Sequence, residues 1–194
     1  MQYNAERMLP HSDKRRALYE DLAYYAARCP QRRAVAERIM RFVADTPDCF
    51  ERSHLAGHIT GSAWLLSPDG TKALLTLHRK LGLWLQPGGH ADGDADVLRV
   101  ALREAQEESG ICGITPLSSH IYDVDVHSIP AHPDSGAPEH LHYDIRYLLQ
   151  APHERFVLSH ESVALVWYSP DEPTALTPAP DESVLRLARL HRKF

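Results

Sequence analysis

Hydrophobic positions change their period along the chain. Leu18, Leu22, Tyr25 and Ala26 recur at helical spacing before Cys29-Pro30, and Val35, Ile39, Phe42 and Val43 repeat the pattern before Pro47. Two amphipathic helices forming a hairpin are predicted, making residues 1–45 an N-terminal helical extension. Its simplest role is to cover one side of the main domain; a homodimer contact or a lid over substrate is the sharper alternative. From His58 the pattern shortens to apolar strands: Ile59 to Leu66, a Ser67-Pro68-Asp69-Gly70 turn, then Ala73 to His78. Leu83 to Gln86 reads as a further short strand. Helical spacing returns over Val97 to Ser109, strands over His120 to His127, His142 to Leu149 and Val163 to Tyr168, and a last amphipathic helix over Ser183 to Arg192. Strands interrupted by few helices imply the α+β class, a mixed sheet sandwiched between helices, with residues 46–194 as the main domain. The proline-rich run from Ser169 to Pro180 reads as an irregular surface loop.

The helix over 97–109 carries an unusual charge pattern. Asp96 is placed as its N-cap and Gly110 as the residue that ends it. At about 100° per residue, Val97, Leu98, Ala101, Leu102 and Ala105 share an apolar arc, and Glu104, Glu107 and Glu108 fall together on its shoulder. Glu104 and Glu108 are a like-charge pair at i and i+4, while Glu107 and Glu108 lie at the unfavourable end of the helix dipole. Each choice costs a few tenths of a kcal/mol or more in ordinary helices. A divalent cation reverses that sign, because Mg²⁺ takes hard oxygen ligands and completes its shell with water and substrate phosphates. The competing reading is a plain solvated acidic helix. Gly88 and Gly89, just after a short apolar strand, weigh toward a ligand site, because glycine lets backbone approach a ligand closely.

The stretch Pro87-Gly88-Gly89-His90 through Arg103-Glu104-Ala105-Gln106-Glu107-Glu108-Ser109-Gly110-Ile111 resembles the Nudix box. That pattern is Gly, five residues, Glu, seven residues, then Arg-Glu-apolar-x-Glu-Glu-x-Gly-apolar. Gly89 matches the first glycine, and Arg103, Glu104, Ala105, Glu107, Glu108, Gly110 and Ile111 match the second half in register. One position departs: the first Glu of the pattern falls on Ala95, between Asp94 and Asp96. The resemblance spans residues 55 to 170, with the specific motif confined to 88–111. It implies an α/β/α sandwich and a hydrolase acting on a nucleoside diphosphate linked to another group, with Mg²⁺ or Mn²⁺ as cofactor. By match to the motif it makes Glu107 and Glu108 metal ligands, Glu104 a ligand or general base, Gly89 a member of the metal site, and Arg103 an orienting group for a glutamate. A further acid ahead of a late strand also belongs to the family's pattern; Glu161 resembles that position, with Glu139 and Glu154 as competitors. A nucleoside triphosphate pyrophosphatase is the alternative enzyme, and a nucleotide-binding regulator without turnover the alternative class, favoured by Ala95 alone.

A chain of 194 residues with 43% hydrophobic content holds one substantial core. The formal charge of −5 offers no broad basic surface for a nucleic-acid polymer and suits a small nucleotide carried with its metal. Three widely spaced cysteines make neither a disulfide framework nor a CxxC site, so a cytoplasmic setting is expected, and no apolar run is long enough to span a membrane. Thirteen histidines are the second oddity. His90 lies in the glycine turn, and His127, His132, His140 and His142 lie around one loop and strand. His140 and His142 share a strand face and could bind zinc or grip a phosphate, but spacing fixes no third ligand. With Arg79, the histidines His90, His140 and His142 are therefore assigned to a substrate pocket. Lys80 is a further phosphate candidate beside Arg79. Trp84, Tyr122, Tyr143 and Trp167 are candidates to stack on a base, although strand aromatics are more often core.

Overall fold

The computed structural model describes residues 9–131, 138–160, 162–171 and 176–192. Among these described residues four α-helices and eight strands follow one another as α1 (Arg16–Arg28), α2 (Arg33–Asp45), β1 (Gly57–Leu66), β2 (Ala73–His78), β3 (Trp84–Leu85), β4 (Gly88–His90), α3 (Val97–Ser109), β5 (Thr115–Pro116), β6 (Asp123–Ile129), β7 (His140–Gln150), β8 (Ser162–Tyr168) and α4 (Glu182–His191). The two predicted N-terminal helices are present and form a hairpin joined by a 3₁₀ turn, Pro30–Arg32. Every longer strand expected from alternation is present within a few residues of its predicted ends. The pieces missed as strands are β4 and β5, because a Gly-Gly-His run and a Thr-Pro pair carry no alternation to read.

The strands pair in the order β3-β2-β1-β7-β5, with β4 also on β1, β6 on β7 and β8 on β2. Strand β2 is antiparallel to β1, β3 and β8, and β5 is antiparallel to β7. Between β1 and β7 the direction is parallel. Leu141 N donates to Ala56 O and Ala151 N to Leu66 O, with the same offset at both ends. The sheet is thus mixed, as expected for this α+β chain.

Two compact units emerge from the packing. One comprises Met1–Thr60, His90–Val97 and Val124–Ile145; the other comprises Gly61–Gly89, Leu98–Asp123 and Arg146–Phe194. In the first, Leu18, Leu22, Tyr25 and Ala26 of α1 and Ala36, Ile39, Met40 and Val43 of α2 are buried. The α2 stripe is shifted from the predicted one. Val35 is half-exposed, and half-buried Phe42 stacks on Tyr143 of β7 at 3.9 Å between ring centroids. Tyr143 is therefore packed under a helix and not presented to a base. Arg15 closes the end of α2 by donating to the carbonyls of Val43 and Ala44 at 2.9 and 3.1 Å, while Asp13 accepts from its Nε and Nη2.

In the second unit the core gathers Trp64 and Leu66 of β1, Ala73 and Leu75 of β2, Trp84 of β3, Leu148 of β7, Tyr168 of β8, and Val184, Leu187 and Ala188 of α4. Trp84 belongs to this core, and Tyr122 packs against it. Beside it lies a buried ion cluster. Asp123, fully buried, accepts from Arg146 at 3.1 Å and from Arg186 at 3.0 Å, and Arg146 also donates to Ser183 Oγ at 2.7 Å. Asp181 caps α4 by accepting from Val184 N at 2.9 Å.

Candidate active site

Helix α3 spans the predicted residues, but the face it buries is rotated. Val97, Val100, Ala101, Ala105 and Glu108 are buried, whereas Leu98 and Leu102 are only half-buried. At 100° per residue the buried stripe is centred between Glu104 and Glu108, with Glu107 at its edge. The three acids consequently differ: Glu108 is 6% exposed, the Glu104 side chain 16% and the Glu107 side chain 63%. Gly110 ends the helix with φ +67°, its N–H donating to Gln106 O at 2.8 Å, as its position predicts.

The glycine turn is built against these acids. Gly88 N donates to Glu108 Oε1 at 3.1 Å, so a buried carboxylate finds a backbone donor at the start of β4. A Cβ added to Gly88 would stand 2.3 Å from Ser62 Cβ. At Gly89 it would stand 2.5 Å from Glu104 Cδ and Oε2 and 2.8 Å from Oε1. The carboxylate of Glu104 therefore lies in space that any other residue at 89 would fill. Arg103, which the resemblance makes an orienting group for a glutamate, donates to Glu104 Oε1 at 2.7 Å, with its Nε 4.0 Å from Glu107. A Cβ-free approach and a guanidinium partner thus converge on one carboxylate. Hard oxygen donors gathered on one helix beside exposed backbone suit Mg²⁺ or Mn²⁺.

The remaining expected residues distribute differently. Arg79 donates to the carbonyls of His160 and Ser162 at 2.9 and 2.8 Å. Glu161 and His132 lie outside the described residues. The competitors to Glu161 have partners elsewhere: Glu154 pairs with Lys72 at 3.2 Å and Glu139 accepts from Ser128 at 2.7 Å. Trp167 donates to Glu154 O at 2.8 Å. Asp94, one candidate to replace the glutamate absent at Ala95, accepts from Asp96 N at 2.9 Å within its own turn.

In the other unit, His90, His140 and His142 gather with His127 and with His58, which sequence reasoning leaves out. Ring centroids of His58 lie 4.9 Å from His90 and 5.0 Å from both His140 and His142. His58 is illegible as a partner in the sequence because only the parallel pairing of β1 with β7 brings it beside residues more than eighty positions away. Burial, the largest cause, lowers the pKa of all three desolvated rings: His58 downward, His90 to about 4 and His142 to about 2. Neighbouring cationic groups add to it, Arg52 for His90 and the other imidazoles for His142. These rings are neutral at physiological pH.

Comparison with known proteins agrees with this architecture. The model of the NUDIX domain matches residues 58–188. Among solved structures, a Nudix-family hydrolase from Clostridium perfringens is 24% identical, covering 70% of this chain and 97% of its own, with a TM-score of 0.52. An Ap4A hydrolase of C. elegans is 20% identical over 70% of this chain and 96% of its own (TM-score 0.51), and a MutT protein of Methanosarcina mazei is 18% identical over 72% and 96% (TM-score 0.51). No curated protein matches by sequence. The chain belongs to the Nudix hydrolase family, whose enzymes act on phosphoric anhydride bonds. Among the described residues no helix is long and apolar enough to cross a membrane.

Proposed function

We propose that this protein hydrolyses the diphosphate linkage of a nucleoside diphosphate joined to a sugar or similar moiety, with Glu104, Glu107 and Glu108 holding Mg²⁺ or Mn²⁺. The observation that carries the reading is the close approach of Gly89 to the Glu104 carboxylate, an arrangement that serves the position of an acid and contributes nothing to a solvated helix face. A divalent ion held by these carboxylates would supply charge neutralisation of phosphate oxygens and acidification of water. The chain's own part is positioning. Glu108 is anchored by Gly88 N–H, Glu104 by Arg103, and Glu107 stands open to a cation carried in with the substrate. Glu104 accepts the proton of the attacking water as its oxygen bonds to phosphorus and the bridging P–O bond breaks. Arg103 acts through Glu104 as a positioning residue, and Glu161 is assigned as the further acid. Of the substrate-contact candidates Arg79, His90, His140 and His142, Arg79 is engaged by the backbone carbonyls of His160 and Ser162.

The test is a substrate panel: ADP-ribose, nucleotide sugars, dinucleoside polyphosphates and nucleoside triphosphates with Mg²⁺ or Mn²⁺, products read by mass, and Glu108→Gln as control. Cleavage of a diphosphate-linked sugar by wild type alone supports the proposal. Preference for triphosphates moves the assignment to a nucleotide pyrophosphatase, and binding without product moves it to a regulator. Glu161→Gln impairing turnover more than Glu154→Gln supports the further acid, and the reverse order removes it.

A further inference from the structure

The histidines of β1 and β7 have a geometry that phosphate hydrolysis on α3 does not require. His140 and His142 share one face of β7 by their spacing, and β1 lies parallel beside it. One ring nitrogen from each of His58, His140 and His142 lies within 4.8 Å of the others. His58 is 3% exposed, and neither of its ring nitrogens has a hydrogen-bond partner. Leaving a buried polar group unpaired is destabilising, so an arrangement that satisfies it is expected.

The protonation pattern narrows what that arrangement is. His140 Nδ1 lies 2.8 Å from Pro138 O, a contact only an N–H can make, so in the neutral ring His140 Nε2 presents its lone pair. That Nε2 is 3.3 Å from His142 Nε2. Two arrangements fit the distance: an N–H···N hydrogen bond from His142, or two lone pairs aimed at a shared cation. A tetrahedral ion with metal–nitrogen bonds of 2.0–2.1 Å has an N···N edge of about 3.3–3.4 Å. The hydrogen bond alone leaves both ring nitrogens of His58 unpaired, whereas a shared cation engages one nitrogen from each of the three rings.

We propose that His58, His140 and His142 bind one divalent transition-metal ion of the zinc class. All-imidazole ligation favours Zn²⁺ and its neighbours over Mg²⁺, which prefers oxygen, so this site differs in ion from the carboxylates of α3. Three protein ligands leave a fourth position for water or an anionic group, as in open zinc sites. His90 packs against His58 and His142, and His127 against His142, as the surrounding layer.

The untagged full chain, stripped with chelator, is titrated with Zn²⁺ or Co²⁺ in millimolar Mg²⁺, reading bound metal by elemental analysis, Co²⁺ visible absorption and melting temperature. The expected result is about one ion per chain, a Co²⁺ spectrum of low coordination number and a raised melting temperature. Removal of second-layer partners costs 10–100-fold in metal affinity, so His58→Ala and His142→Asn should each weaken binding by at least ~100-fold, with Glu108→Gln unchanged. If His58→Ala proves unfolded by circular dichroism, His140→Gln at a half-buried position carries the same expectation. Absence of stoichiometric binding, or binding lost in Glu108→Gln and kept in the histidine variants, overturns the site. Because this readout is metal and not turnover, its failure leaves the hydrolase assignment standing, and the converse holds.

Discussion

Replacing Gly89 by alanine tests whether the glycine turn serves the Glu104 carboxylate. The new Cβ would lie 2.5 Å from Cδ and Oε2, whereas ordinary contact begins at 3.4 Å, so one side must give by about 0.9 Å. Backbone relief is restricted, because β4 is pinned to β1 on either side by Ala63 N to Pro87 O at 2.8 Å and Ala91 N to Ile59 O at 3.3 Å. The carboxylate, the far end of a flexible side chain, moves instead. Stability should therefore fall by less than the ~1–3 kcal/mol typical of an overpacked core. A misplacement near 1 Å costs about 10²-fold in rate, equivalent to roughly 2.7 kcal/mol in the barrier. Initial rates across substrate and Mg²⁺ concentrations should show kcat reduced about 10²-fold with KM nearly unchanged. Gly70→Ala provides the control: nothing lies within 4 Å of its added Cβ, but φ is +71°. It should lose about 1 kcal/mol of stability and no activity. A well-folded Gly89→Ala enzyme with wild-type kcat would refute the cradle.

Glu107→Gln and Glu108→Gln should each lower kcat by at least ~10²-fold while the melting temperature changes little, since glutamine at 108 still offers an oxygen to Gly88 N–H; near-normal turnover in either removes that residue from the site. Asp123→Ala should cost about 3–5 kcal/mol in urea unfolding, because it leaves the guanidinium groups of buried Arg146 and half-buried Arg186 facing an emptied position, and a loss under 1 kcal/mol would contradict that picture. Hydrogen bonds from the Arg15 guanidinium and N–H hold the Asp13 carboxyl at about 2, below its ordinary 3.8. The unfolded chain therefore binds this proton first, so the stabilisation is full above pH ~3.8 and lost as pH falls through ~2. Asp13→Asn should cost about 1–2 kcal/mol at pH 7, after discounting for solvent contact. The difference from wild type should shrink toward pH 2 in acid-titrated unfolding, and a constant difference would exclude the linkage.

Period and punctuation make most of this fold readable. Residues 97–109 are helical as Asp96 and Gly110 bracket them, and the apolar runs on either side of Ser67-Pro68-Asp69-Gly70 pair as the hairpin β1 and β2. What is not readable depends on contacts distant in sequence. The buried stripe of α3 runs through Val100 because the neighbouring layers, not helix periodicity, choose which apolar positions are covered. Arg79 reads in sequence as a substrate-pocket cation, and nothing local announces that the pairing of β8 with β2 brings the carbonyls of His160 and Ser162 to it. His58 stands beside His140 and His142 for a similar reason, a parallel pairing that leaves no local trace in sequence.

The three glutamates of α3 show how one motif yields unequal residues. Spacing alone gives each the same carboxylate and a charge cost, from the helix dipole at Glu107 and Glu108 and from the i,i+4 pairing at Glu104. The fold offsets that cost differently: a backbone N–H at Glu108, a guanidinium and a Cβ-free backbone at Glu104, and solvent at Glu107, with Arg103 4.0 Å away. Two of the acids are consequently held before any ligand arrives, which removes part of the ordering entropy from binding. The third is left exposed to solvent, the state that the proposed metal role requires of a ligand closing on an ion delivered with substrate. On the proposed assignment, a pattern of Arg-Glu-x-x-Glu-Glu is better understood as two anchored ligands and one adjustable one than as three equivalent acids, and Gly88 and Gly89 supply the backbone against which that division is made.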